Sequence, residues 1–330
     1  MLLLTASLSL SRNSAGKHSV VFFQGVMMVD VLIKAFSFIL VIIIGYQLKQ
    51  RGILQQESAT ALSKLMMNFT LPAAVITGFA SFKVDHSLLI LVALGLGCNL
   101  VLLGVGYLIG RRSPEGLKAF YMINSPGYNI GCFTLPYVQS FLGPVGIVAT
   151  CLFDAGNSVV CTGGSFAVAS AATGKSSGWL NIVKRLFSSV PFDVYVLLMI
   201  AALMGWHLPS QITLLVSTLG NANPFVAMLI IGMLLEVNID RSQLKHVLTV
   251  LLLRYTSAAA FASLFYFFTP LPLEIRQVLA VVVFAPLSSL SPLFTARFNG
   301  NLAVVASFAN SLSIMISILI ITTLLTTMQL

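Results

Sequence analysis

From Asp30 onward the chain is a succession of long apolar runs separated by short polar punctuation. The runs fall near residues 30 to 49, 58 to 81, 87 to 110, 117 to 141 and 145 to 172, then near 190 to 207, 211 to 236, 244 to 268, 273 to 296 and 300 to 326. An α-helix rises about 1.5 Å per residue, so about 20 residues cross the hydrocarbon core of a bilayer. The pattern predicts an all-α integral membrane protein with ten transmembrane helices. Residues 29–172 form a first five-helix unit, 173–189 a polar linker and 190–330 a second five-helix unit. Residues 1–28 read as a dispensable extension, because Leu2 to Leu10 is too short to span and Met27 or Met28 would be a natural start.

Proline breaks two of these runs at matching places. The fourth contains Ser125-Pro-Gly-Tyr-Asn-Ile-Gly-Cys-Phe-Thr-Leu-Pro136, and the ninth contains Ala285-Pro-Leu-Ser-Ser-Leu-Ser-Pro292. Proline removes a backbone donor and frees a carbonyl, and in hydrocarbon such groups must be satisfied inside the protein. Paired interruptions of this kind point to the substrate site of a secondary transporter. The halves also echo one another: Gly45 pairs with Gly205, Pro72 with Pro224, Pro136 with Pro286, and Asn157-Ser158 with Asn310-Ser311, at offsets of 160, 152, 150 and 153. Five is an odd number, so a duplicated unit enters the membrane upside down. That predicts two inverted repeats.

Composition agrees with the pattern. Hydrophobic residues make up 58%, charged residues 8%, and the mean hydropathy is +0.98, whereas soluble domains carry roughly 25% charge. The net charge of +9 is explained by where it sits. Lys49, Arg51, Lys64, Arg111, Arg112, Lys118, Lys175, Lys184, Arg185, Arg241, Lys245 and Arg297 gather at the odd-numbered connections, while Lys83 and Arg276 lie at the even-numbered ones. The positive-inside rule makes the odd connections cytoplasmic and both termini non-cytoplasmic in a multi-pass cell membrane protein, plasma or bacterial inner. No basic stripe interleaved with aromatics is present, so no nucleic-acid partner is expected.

Four local patterns then carry a family likeness. They are Gly45-Tyr-Gln-Leu-Lys-Gln-Arg-Gly-Ile-Leu54, Asn68-Phe-Thr-Leu-Pro-Ala73, Asn129-Ile-Gly-Cys-Phe-Thr-Leu-Pro136, and Asp154-Ala-Gly-Asn157 together with Ala296-Arg-Phe-Asn-Gly300. In this order the chain resembles the auxin efflux carrier family of membrane transporters, within the larger group that includes bile acid/sodium symporters. Its short central linker is more similar to bacterial or short-loop members than to long-loop plant carriers. The resemblance implies broken helices 4 and 9 that cross near the membrane midplane, where half-helix ends face the substrate. It implies a small organic anion as substrate, such as a carboxylate or an auxin-like acid; membrane lipid and a second copy in a homodimer are the other partners expected. Helix N-termini suit anions and unwound carbonyls suit cations.

Each candidate residue has a functional and a structural reading. Asn129, Gly131, Pro136, Pro286, Ser288 and Ser291 lie on the two interruptions, where Asn129 can cap a half-helix and still offer an amide to a ligand. Asn68 and Asn223 flank Pro72 and Pro224 and either line the cavity or satisfy freed carbonyls. Asp154 is the acidic residue near the middle of a first-half span. A carboxylate there costs about 2.5–3.5 kcal/mol on insertion scales and needs a partner, water or an ion. With Asn157 it is the candidate for proton or cation coupling; otherwise it is a structural partner of Arg254 or Asn157. Arg254 can instead snorkel toward the cytoplasmic face or pair with a substrate anion.

Cys98, Cys132, Cys151 and Cys161 lie in apolar spans without a CxxC pair, and the four histidines have no metal-binding spacing. No metal or other cofactor is expected. The reading is a secondary transporter working by alternating access, not an enzyme. A sodium- or proton-coupled symporter of the bile acid type is the alternative. An intramembrane enzyme or receptor lacks its catalytic constellation or its ligand-binding domain.

Overall fold

The computed structural model describes residues 29–81, 85–174, 179–206, 208–237 and 241–328. The expected extension, 1–28, lies outside the described residues. Within them every regular element is helical. Seven helices are long and apolar enough to cross a membrane: α1 (Val29–Gln50), α2 (Glu57–Ala80), α3 (His86–Gly110), α6 (Gly143–Ala172), α9 (Ser210–Leu234), α10 (Arg241–Phe268) and α13 (Gly300–Thr327). α8 (Val190–Leu203) is equally apolar but shorter. The two interrupted runs form separate pieces, α4 (Glu115–Asn124) and α5 (Leu135–Phe141) in one, α11 (Leu273–Val282) and α12 (Ser291–Ala296) in the other. α7 (Trp179–Leu186) is a short amphipathic helix in the central linker.

The helices pack into two groups. α9 packs against α2, and α8 also lies on α2. Small residues set the distance between α1 and α9: a Cβ on Gly45 would overlap the Leu229 carbonyl oxygen, and one on Gly232 would overlap that of Ile42. The second group holds α3, α4, α6 and α10 to α13. There Gly95 abuts the carbonyl of Phe153, and Gly156 abuts that of Val92, so α3 and α6 meet backbone to backbone. Close approach through small residues is how membrane helices gain packing contact without a hydrophobic drive between them. α6 is the most enclosed span, with 78% of its apolar stretch buried against 28% for α1.

Gly106 and Gly110 of α3 lie against Tyr121 and Lys118 of α4. Gly127, by contrast, is no helix-packing glycine. It sits in the first interruption at φ +86°, and a Cβ there would approach the Ser288 Cβ to 2.9 Å.

Three single π-turns interrupt the spans, at Met66–Thr70, Ile130–Thr134 and Val160–Gly164. The first two immediately precede Pro72 and Pro136, so that the amides of Leu71 and Leu135 reach back to Met66 and Ile130. A widened turn is a common way to absorb a missing proline donor.

The breaks themselves correct the pairing read from sequence offsets. The first half's unwound stretch is Ser125 to Asn129, around Pro126, whereas Pro136 lies inside the first turn of α5. The second half's is Val283 to Leu290, around Pro286, whereas Pro292 lies in the first turn of α12. Pro126 therefore corresponds to Pro286, and Pro136 to Pro292. The offset of 160 between Pro126 and Pro286 equals that between Gly45 and Gly205.

A candidate transport site at the paired breaks

The two unwound stretches meet. Tyr128 and Leu287 form an isolated antiparallel bridge, and the Asn129 amide donates to the Pro286 carbonyl at 3.0 Å. Each stretch exposes backbone groups that no helix satisfies, and each is served by its own flanking helices. On the first, Gly127 N–H donates to Asn99 Oδ1 at 2.7 Å and Tyr128 N–H to Asn157 Oδ1 at 2.9 Å, while Asn157 Nδ2 donates to the Tyr128 carbonyl at 2.9 Å. On the second, Leu287 N–H donates to Ser313 Oγ at 3.0 Å and Ser317 Oγ donates to the Phe284 carbonyl at 2.6 Å.

Arg254 completes the second stretch. Its Nη2 donates to the Ala285 carbonyl at 2.9 Å and to that of Pro286 at 3.3 Å, and its guanidinium lies 3.7 Å from the centre of the Tyr128 ring. It is 1% exposed, so it does not snorkel, and it makes no ion pair with Asp154. Carbonyls at the C-terminal end of α11 carry partial negative charge, which a fixed cation neutralises.

A cavity of about 330 Å³ opens beside the bridge, between the two helix groups. Tyr128, Asn129, Gly131, Asp154, Asn157 and Ser288 line it from one group, and Met67, Phe192, Tyr195 and Ile231 from the other. Asn129 is buried, and its carbonyl accepts from both the amide and the hydroxyl of Thr134, each at 3.1 Å. Among the described residues its side-chain amide has no hydrogen-bond partner. Asp154 is buried at the middle of the most enclosed helix and accepts from Asn157 Nδ2 at 2.7 Å. Among the described residues no cation pairs with it. Asn310 also lines the cavity, with its Oδ1 buried and, among the described residues, unpartnered.

Five of the residues singled out from sequence lie on this cavity together: Asn129, Gly131, Asp154, Asn157 and Ser288. Ser288 bonds Cys161 across it at 2.9 Å. Pro286 contributes its carbonyl to the bridge from behind, and Pro136 is buried in α5. Ser291 turns away and donates to the Ile123 carbonyl at 3.2 Å. Asn68 is exposed on the π-turn of α2. Asn223 is buried between α2 and α9, accepting from Thr70 Oγ1 at 3.0 Å, and does not line the cavity.

Asn99 escaped the sequence reading, although a buried asparagine inside a 21-residue apolar helix is the available signal. Tyr195 escaped it too, being one aromatic among many in an apolar span. Among the described residues no cluster of three or more metal-ligating side chains occurs.

Comparison with known proteins bears on this geometry. Residues 30–177 match the family described as membrane transport protein. Over 208 residues the chain is 26% identical to a protein from Methanothermobacter thermautotrophicus described as an uncharacterized transporter; the match covers 61% of this chain and 66% of the relative, just under two thirds of its length. From Asp30 through the whole of the first break and α6, the chain is therefore similar to the membrane transport protein family, the auxin-efflux-carrier type that its motifs resemble.

Proposed function

We propose that the protein is a secondary transporter that carries small organic anions across a membrane by alternating access, with the cavity at the paired breaks as its substrate site. The observation that carries this reading is the bridge between Tyr128 and Leu287, which places an uncommitted Asn129 amide, a buried carboxylate and two sets of half-helix ends on one cavity. Because the cavity lies between two helix groups, a shift of one group against the other would expose it to each side in turn. The internal echo supports an inverted repeat. Asn99 and Asn157 serve the first break and Arg254 and Ser313 the second, at offsets of 155 and 156. Basic residues at alternate connections support termini on the non-cytoplasmic side.

Initial uptake of radiolabelled carboxylates and indole acids into proteoliposomes tests the reading. Asn129→Ala removes a donor to the anion, and a hydrogen bond to a charged group is worth about 1.5–3 kcal/mol. The initial rate should fall about ten- to a hundredfold while the protein remains folded. An unchanged rate would refute the site.

One observation favours a second reading, that transport is coupled to a proton or a monovalent cation. Asp154 is a buried carboxylate on the cavity with no cation from the described residues beside it. Its charge must be compensated by a mobile ion or abolished by protonation.

A further inference from the structure

The cavity at the breaks continues outward. A second space of about 430 Å³ adjoins it, and the two share Met67, Thr162, Ser189 and Leu290 as walls. Two guanidinium groups line the outer space, Arg185 from α7 and Arg297 from the turn after α12. Arg185 is held against two aromatic faces, 5.8 Å from the centre of the Phe166 ring and 5.7 Å from that of Phe294. Neither arginine has an ion-pair partner among the described residues, and no acidic side chain lines the space. Its remaining polar groups are the hydroxyls of Thr162, Ser188 and Ser189.

We propose that this outer space is a docking vestibule in which Arg185 and Arg297 bind the carboxylate of a small organic anion before it passes to the cavity at the breaks. The proposal rests on the reading of the inner cavity as the transport site, and it adds where the anion is first held. A guanidinium presents paired N–H donors that match the two oxygens of a carboxylate. Cation–π attraction to Phe166 and Phe294 biases Arg185 toward this space before the ligand arrives, lowering the ordering cost of binding. A cleft with one sign of charge and apolar walls concentrates the opposite ion. Both arginines belong to the connections where the chain's basic residues gather, so the anion is loaded from that side.

An anionic phospholipid headgroup offers the same oxygen chemistry, so the test separates the two. The full chain carrying Ser188→Cys is placed in nanodiscs of neutral phosphatidylcholine and modified with a negatively or a positively charged methanethiosulfonate. Mass spectrometry localises the label to position 188. The anionic reagent should react about tenfold faster than the cationic one. That ratio should fall toward one when Arg185→Gln and Arg297→Gln are combined. Malate, used as a dicarboxylate probe, should slow the anionic reagent in the parent and not in the double variant.

Equal rates for the two reagents, a ratio indifferent to the arginines, or no slowing by malate would each overturn the vestibule. So would protection by added phosphatidylglycerol that abolishes the malate effect, because the occupant would then be lipid. Protection by malate without any malate transport in proteoliposomes would leave the vestibule standing and refute the inner cavity as a transport site for that acid.

Discussion

Arg254 shows how a single residue can be read correctly as important and wrongly as to direction. A cation in a span invites a carboxylate partner or a snorkelling path, and both were reasonable from sequence. The structure gives it carbonyls instead, those of Ala285 and Pro286 in the unwound stretch that follows α11. Replacing it by methionine keeps the volume but strands the Ala285 carbonyl, while Pro286 still receives the Asn129 amide. An orphaned buried acceptor costs about 1–3 kcal/mol, so thermal unfolding in detergent should shift down accordingly. Arg254→Lys should recover part of that loss, since it restores a charge but not the planar stack on Tyr128. The cysteines separate by position: Cys132 and Cys161 line the cavity, whereas Cys98 and Cys151 are buried in the core. Small maleimides should label the first pair and spare the second, with a bound anion slowing the labelling; peptide mass spectrometry reads both outcomes.

Among the elements, what the sequence made legible was depth, and what it hid was orientation. Run lengths located the seven long apolar helices and the prolines located the interruptions, because hydrocarbon imposes both constraints directly. A helix that is apolar on every side carries no stripe to say which face meets its neighbour. That is why Asn129 and Asp154 could be placed on an interior site while Asn68, Asn223 and Ser291, equally polar, could not be told apart from them. It is also why Pro136 was paired with Pro286, although the unwound residues lie around Pro126. Glycine contacts show where orientation is decided. α3 and α6 approach through Gly95 and Gly156, each against a carbonyl of the other helix. Gly156→Ala should force these helices apart and cost about 1–3 kcal/mol, seen as a lower unfolding temperature. Gly97→Ala on the same helix as Gly95, with open space around it, should leave that temperature unchanged.

For the molecule as a whole, the proposed alternating access requires one helix group to move against the other, and Asp154 is the candidate to drive it. If Asp154 couples it, Asp154→Asn should leave transport down a substrate gradient measurable yet indifferent to an imposed pH or sodium gradient in proteoliposomes. A variant still driven by those gradients would exclude the carboxylate. The bridge between Tyr128 and Leu287 also bears on how the protein is made. Within the first half, Asn99 and Asn157 satisfy Gly127 and Tyr128, but the Asn129 amide finds its acceptor on Pro286, which is synthesised more than 150 residues later. Until then that amide must keep water or a chaperone beside it, since no lipid can replace the carbonyl. The second half differs, since Leu287 N–H donates to Ser313 and the Pro286 carbonyl also accepts from Arg254, both within that half. Biogenesis therefore ends with a closing step that the first half cannot complete alone. Of two separately synthesised halves, divided within 173–189, the first should survive in the membrane only when the second is present.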